Sequence, residues 1–135
     1  MMIDHLTVPV RDYEASRRFF ERALGPLGFV VLLDWHDERR TYLGLEREPS
    51  SLWLVESEAA GALEVSLAAD GPDAVDAFHA AAVAAGARTI APPGVRPEYS
   101  SEYYAARVRD PDGNSLEAVY RGVAAPRALR DAQAA

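Results

Sequence analysis

Three ionisable side chains, His5, Glu64 and Glu117, lie in segments where apolar and polar residues alternate. Successive side chains of a β-strand point to opposite faces, so each of the three should lie opposite its apolar neighbours. One imidazole and two carboxylates that converge could bind a divalent metal ion of mostly hard character. Without a metal, Glu64 and Glu117 would repel each other, and one of them could act as a general base.

An internal duplication predicts that these residues do converge. Residues 64–79 repeat residues 5–20 in register, with a strand pattern, an acidic turn and a helix pattern that glycine ends. A strand, turn and helix kept in register indicate a fold of two similar halves. Because this pseudo-symmetry relates His5 to Glu64, we expect both to approach a shared centre, together with Glu117 from the last strand.

The first half reads as a strand, a helix and three strands. Asp12 is a plausible N-cap for a helix from Tyr13 to Leu24. The apolar patterns predict strands at residues 3–10, 29–35, 40–46 and 52–56, with a turn at 48–51.

The second half repeats this order. Its helix is predicted at residues 73–85, and its strands at 62–69, 88–91, 102–109 and 115–120, with a stiff proline-rich loop at 92–99. We therefore expect a single α+β domain over residues 1–121, with modules at about 2–57 and 61–121, followed by a surface tail at 122–135.

Composition narrows the function classes. The chain has 135 residues, a net charge of −7 and no cysteine. With no basic cluster, nucleic acid and anionic membranes are not expected partners, and the absence of thiols excludes disulfides and thiolate sites. No apolar run approaches a membrane span and the first residues do not form a signal peptide, so we expect a cytoplasmic protein.

Several motifs carry a family resemblance. They are Ile3-Asp4-His5-Leu6-Thr7-Val8, Asp76-Ala77-Phe78-His79, Tyr103-Tyr104-Ala105-Ala106, and Asp110-Pro111-Asp112-Gly113-Asn114 with Leu116-Glu117. Over roughly residues 3–121, the chain resembles the glyoxalase, bleomycin-resistance and extradiol-dioxygenase superfamily, also called vicinal oxygen chelate proteins. The resemblance implies two βαβββ modules that form a U-shaped mixed sheet around a metal or ligand cleft, with the helices outside, and a homodimer.

Two positions depart from the family pattern. Glu64 stands where family enzymes usually carry histidine, and the stretch Leu52-Trp53-Leu54-Val55 lacks the carboxylate that the glyoxalase I type takes from this strand. The candidate metal ligands are therefore His5, Glu64 and Glu117. The expected ion is Mn, Ni, Mg or Zn, and a metal-free protein is the other reading.

Candidate ligand-binding residues come from the same strands. Alternation in the last hairpin places Tyr103 and Arg107 towards the cleft, and Trp35 and Trp53 supply aromatic surface. Arg107 could hold a carboxylate or phenolate oxygen of a substrate, or it could pair with Glu64 or Glu117 and balance charge.

Three function classes remain for this small-molecule protein. The first is a divalent-metal-dependent lyase or isomerase, similar to lactoylglutathione lyase, that acts on a substrate with adjacent oxygens, with Glu117 or Glu64 moving a proton. The second is a metal-free protein of the bleomycin-resistance type that binds a small aromatic or cationic compound. The third is an extradiol dioxygenase. It is least favoured because its iron site requires two histidine ligands and only His5 is available.

Overall fold

The computed structural model describes residues 4–45 and 51–122. Its first unit consists of β1 (His5–Val10), α1 (Tyr13–Leu24), β2 (Phe29–Trp35), β3 (Arg40–Leu45) and β4 (Ser51–Glu56). Its second unit consists of β5 (Glu64–Ala68), α2 (Pro72–Ala84), β6 (Arg88–Val95), β7 (Tyr104–Arg109) and β8 (Ser115–Tyr120). The predicted α+β fold of two βαβββ modules is confirmed. Of the turn predicted at 48–51, residues 48–50 lie outside the described residues, as does the tail from residue 123 onward.

Each module forms its own mixed sheet. The strand orders are β1-β4-β3-β2 and β5-β8-β7-β6, and in both sheets the first strand runs parallel to the last strand of its module. Within the described residues, pairing does not continue from β1 to β5, so there are two four-stranded sheets. Thr7 pairs with Trp53 in the first sheet, and Ser66 pairs with Glu117 in the second. Trp53 and Glu117 therefore occupy equivalent positions in the duplication.

The first helix forms where its cap and its apolar stripe predict. The Asp12 side chain accepts a hydrogen bond from the Ala15 amide at 3.1 Å, which satisfies a free donor of the first turn. A short 3₁₀ turn at Gly25–Leu27 follows the helix, and Gly28 has a φ of 93°, a left-handed conformation that glycine adopts without strain. Phe19 and Phe20 are buried.

A polar network ties α1 to the sheet beneath it. The Tyr13 hydroxyl donates to Asp34 at 2.6 Å and also contacts the Thr41 hydroxyl, while Arg17 Nε donates to Asp34 at 2.5 Å. Burial raises the pKa of Tyr13, and the hydrogen bond to Asp34 raises it further. The network fixes the helix over its sheet at a buried position where an unpaired hydroxyl would be costly.

The second helix covers the second sheet. Pro72 begins it, at a position that needs no amide donor, and Val75, Phe78 and Ala82 form its buried stripe. The two helices pack against each other, and the helix-facing sides of both sheets join them in one hydrophobic core. The opposite face of each sheet is therefore left to carry polar and aromatic side chains. Neither described helix has the length and apolar character that a membrane span requires.

The strand β6 is longer than the sequence predicted. It was expected to end at Ala91, before a proline-rich loop, but it continues to Val95. The pairing with β7 shifts register between Thr89 and Ala91 and again between Ala91 and Gly94. Because β6 is an edge strand with these irregularities, it tolerates two prolines that a central strand would exclude.

A polar clasp joins the two modules near their linker. Arg11 donates to the Ala60 carbonyl at 2.6 Å, and its backbone amide donates to Asp112 at 3.2 Å. The other oxygen of Asp112 accepts from Ser16 at 3.2 Å. At Gly61, which has a φ of 104°, an added Cβ would lie 2.4 Å from the Asp112 backbone oxygen. The clasp thus brings the linker, α1 and the β7–β8 turn into close contact.

Candidate functional site

Three aromatic rings lie together on the first sheet, on the face away from α1. The rings of Trp35 and Trp53 are stacked, with centroids 5.4 Å apart and planes 5° from parallel. Tyr42 lies against Trp53 at 4.6 Å and pairs with it across β3 and β4. Trp35 remains 41% exposed. We call this surface, made of Trp35, Tyr42 and Trp53, the aromatic face.

A shallow cavity of about 150 Å³ opens beside these rings. It is lined by His5, Thr7, Arg40, Trp53 and Val55, all from the first sheet. Trp53 and Val55 contribute aromatic and apolar surface to it, and His5 and Arg40 contribute an imidazole and a guanidinium. A small flat molecule could stack here and meet a polar group at its edge.

Among the described residues, the ion-pair partners of His5 and Arg40 at the cavity are exposed. His5 Nδ1 is 3.0 Å from the Asp4 carboxylate, and both side chains are at least half exposed. The Arg40 guanidinium is 3.9 Å from Glu38, whose carboxylate is also exposed. Exposed pairs of this kind contribute little free energy.

The second sheet presents a different centre on its open face, built around Glu117. This buried carboxylate accepts hydrogen bonds from Ser66 Oγ at 2.6 Å and from the Tyr103 hydroxyl at 2.9 Å, both at Oε1. Its other oxygen accepts from Arg107 Nη2 at 3.3 Å. We call this surface, made of Glu64, Ser66, Tyr103, Arg107 and Glu117, the polar face.

Arg107 is shared between two carboxylates. Besides Glu117, its guanidinium lies 3.7 Å from Glu64. The Glu64 side chain is 79% exposed, whereas that of Glu117 is 6% exposed. These contacts are the ones expected if Arg107 balances the charge of the two glutamates, which is one of the two roles that the sequence left open for it.

Tyr103 connects the polar face to further aromatic surface. Its ring packs on Tyr99 at 4.8 Å, and the Arg121 guanidinium lies 5.3 Å from the ring centroid. Burial raises the pKa of Tyr103, and the hydrogen bond to Glu117 adds to this. The hydroxyl is therefore held in its neutral, donating form.

The predicted metal ligands do not come together within one chain. His5 lies at the cavity of the first sheet, while Glu64 and Glu117 lie on the second. Among the residues that the structure describes, no group of three or more His, Asp or Glu side chains could hold a metal ion. The guanidinium of Arg107 already stands beside Glu117 as its positive partner. The donor set of one chain therefore does not fit a divalent ion, and metal binding by the protein stays a prediction.

The whole domain matches one known family. The sequence model of the Glyoxalase/Bleomycin resistance protein/Dioxygenase superfamily matches residues 2–118. The chain belongs to this superfamily. The resemblance drawn from the sequence motifs is thereby confirmed. No curated protein matches the chain.

Solved structures of the superfamily share the fold. A glyoxalase/bleomycin resistance protein from Albidiferax ferrireducens is 31% identical, with a TM-score of 0.76, covering 90% of this chain and 100% of its own. TnmS3, an antibiotic binding protein from Streptomyces, is 25% identical, with a TM-score of 0.67, covering 90% of this chain and 97% of its own. A glyoxalase/bleomycin resistance protein from Streptomyces is 27% identical, with a TM-score of 0.62, covering 84% of this chain and 96% of its own.

Sequence reasoning missed two polar residues of these surfaces. Ser66 lies in the predicted strand at residues 62–69, where nothing in the sequence marks it as a site residue, although the pairing of β5 with β8 places it opposite Glu117. Arg40 is the first residue of the predicted strand at 40–46. Antiparallel pairing of this strand with the one predicted at 29–35 could have found it, because Arg40 lies directly opposite Trp35.

Proposed function

We propose that the protein binds a small planar aromatic molecule without a metal ion, and that Trp53 is the principal contact. The observation that carries this proposal is the position of Trp53, which in the first module is equivalent to that of Glu117 in the second. Where the first module lacks a carboxylate, it has a ring stacked on Trp35. The outer faces of such a stacked pair are flat and apolar, and a further aromatic ring can stack on them.

In this proposal, the polar face forms the second surface that contacts the ligand. Among the described residues, the cavity at the aromatic face is lined by the first sheet alone, which leaves its open side free for another surface. We propose that a second copy of the chain does so in a homodimer that sets an aromatic face against a polar face. Apolar residues of the edge strands support this, because Leu33 in β2 and Val95 in β6 are about half exposed. A dimer would cover such residues.

The likeness to an antibiotic binding protein supports binding rather than catalysis. TnmS3 is named for binding an antibiotic, and it shares the fold over 90% of this chain. The hydrogen bonds of Glu117 also favour binding over catalysis, since both of its carboxylate oxygens already accept from protein donors. A general base needs a carboxylate oxygen within reach of the substrate proton.

The metal-dependent lyase or isomerase remains the alternative. It requires that His5, Glu64 and Glu117 converge in the assembled protein and that Arg107 leaves Glu117 to make room for the ion. The extradiol dioxygenase needs still more, because its iron site would lack a second histidine.

Tryptophan fluorescence with calorimetry tests the proposal. Trp35 and Trp53 are the two tryptophans of the chain, so emission reports on the aromatic face alone. We expect neutral naphthamide to quench this emission, and calorimetry to show that Trp53→Leu lowers its affinity about tenfold or more, within the range for losing one aromatic stacking partner. Val83→Ala, on the exposed side of α2, is the matched control and should leave binding unchanged. Equal naphthamide affinity in Trp53→Leu and the unaltered chain would contradict the proposal.

A further inference from the structure

We infer that the ligand is a planar aromatic anion, and that Arg40 selects its charge. This inference rests on the proposed function, which requires only an aromatic ligand, and adds the charge that the ligand carries.

The first argument is the position of Arg40 relative to the rings. Arg40 pairs with Trp35 across β2 and β3, and with Val55 across β3 and β4. It lines the same cavity as Trp53. A ring stacked on the aromatic face would therefore have a guanidinium at its edge, where a carboxylate, sulfonate or phenolate substituent would lie. Guanidinium and carboxylate can form two parallel hydrogen bonds.

The second argument is how loosely Arg40 is held. Among the described residues, its only ion pair is with Glu38, at 3.9 Å. The side chains of Arg40 and Glu38 are 49% and 67% exposed, so exchanging this partner for a ligand anion costs little. Neighbouring Arg39, by contrast, donates to Glu56 at 2.6 Å. Arg107 is already balanced by buried Glu117 at 3.3 Å.

The third argument is the local charge. Among the residues that the structure describes, the cavity lining holds Arg40 and His5 as ionisable side chains and no carboxylate. The whole chain carries a net charge of −7. Within one chain, the Arg40 guanidinium favours an anion at this cavity and disfavours a cation there. The carboxylate beside His5 belongs to Asp4, which is 85% exposed and can turn to solvent.

Three probes with the same ring system separate charge from stacking. They are naphthoate, naphthamide and naphthamidine, which are anionic, neutral and cationic at neutral pH. In calorimetric titrations of the unaltered protein, we expect naphthoate to bind about tenfold more tightly than naphthamide, the gain from a charge-assisted pair, and naphthamidine to bind most weakly. The preference for naphthoate should shrink as salt is raised, because the pair is partly exposed.

Two variants test whether Arg40 causes the preference for naphthoate over naphthamide. In Arg40→Gln, naphthoate should lose its advantage and bind no more tightly than naphthamide. Arg18→Gln removes the same charge from the exposed side of α1 and should keep the full preference. Naphthamide binding as tightly as naphthoate in the unaltered chain, or a full preference in Arg40→Gln, would overturn the inference and leave the aromatic site standing. If none of the three probes binds, the proposed function falls and the inference with it.

Discussion

Replacing Glu117 by glutamine tests whether its carboxylate stabilises the second sheet. Glutamine keeps the size and an acceptor oxygen for Ser66 and Tyr103, but it removes the charge beside Arg107. Hydrogen bonds to a charged group exceed neutral ones by about 1 kcal/mol each, so weakening three of them costs at most about 3 kcal/mol. Arg107 is one-third exposed, and solvent screens part of this loss. We expect the free energy of unfolding to fall by about 2 kcal/mol.

Glu64→Gln is the matched control, since Glu64 contacts the same arginine. Its side chain is 79% exposed, so we expect a change of no more than about 0.5 kcal/mol. Urea unfolding followed by circular dichroism gives both values, with an unchanged slope showing that the folded state is intact. Equal losses in the two variants, or no loss in Glu117→Gln, would refute the assignment of Glu117 as a buried, fully bonded carboxylate.

Two further substitutions probe the frame that holds the faces. In Gly61→Ala, the free energy of unfolding should fall by about 1–2 kcal/mol because of the positive φ, and by about 1–3 kcal/mol more because of the clash with the Asp112 oxygen. Gly86→Ala, at a similar φ of 108° but with open space around it, should lose only the part that comes from the positive φ. Similar thermal midpoints in the two variants would contradict this. Because the pKa of folded Tyr13 lies above its ordinary value of 10.0, the unfolded chain releases this proton first, and stability should fall as pH rises through the folded pKa. Tyr13→Phe should make that alkaline decline shallower while lowering stability at neutral pH through the lost bond to Asp34, and an unchanged alkaline slope would speak against the role given to this hydroxyl.

Much of the fold could be predicted because local signals agreed with each other. Asp12, a helix from Tyr13 to Leu24 and the following glycines stand together in the sequence, and the helix has these bounds. The duplication then supplied the second module. The continuation of β6 through Pro92 and Pro93 could not be predicted in this way. Proline ordinarily argues against a strand, and only the position at a sheet edge removes that objection.

The sequence predicted which sheet face the site residues occupy, but not which residues lie opposite one another. Alternation assigned His5, Glu117 and Arg107 correctly to the faces opposite the core. It could not show that Trp53 is the counterpart of Glu117, because this follows from strand register, which distant residues decide. Nor could it show that Glu64 and Glu117 both lie beside Arg107, since those contacts join separate strands.

Calorimetry of naphthamide binding with and without metal tests the central claim most directly. Protein purified without added metal would be analysed for bound ions, then titrated after treatment with EDTA and again after addition of manganese or nickel. We expect no stoichiometric metal and the same naphthamide affinity in every state, with the signal lost in Trp53→Leu. One bound ion per chain, together with naphthamide binding that EDTA abolishes and manganese or nickel restores, would contradict the account and favour the metal-dependent alternative.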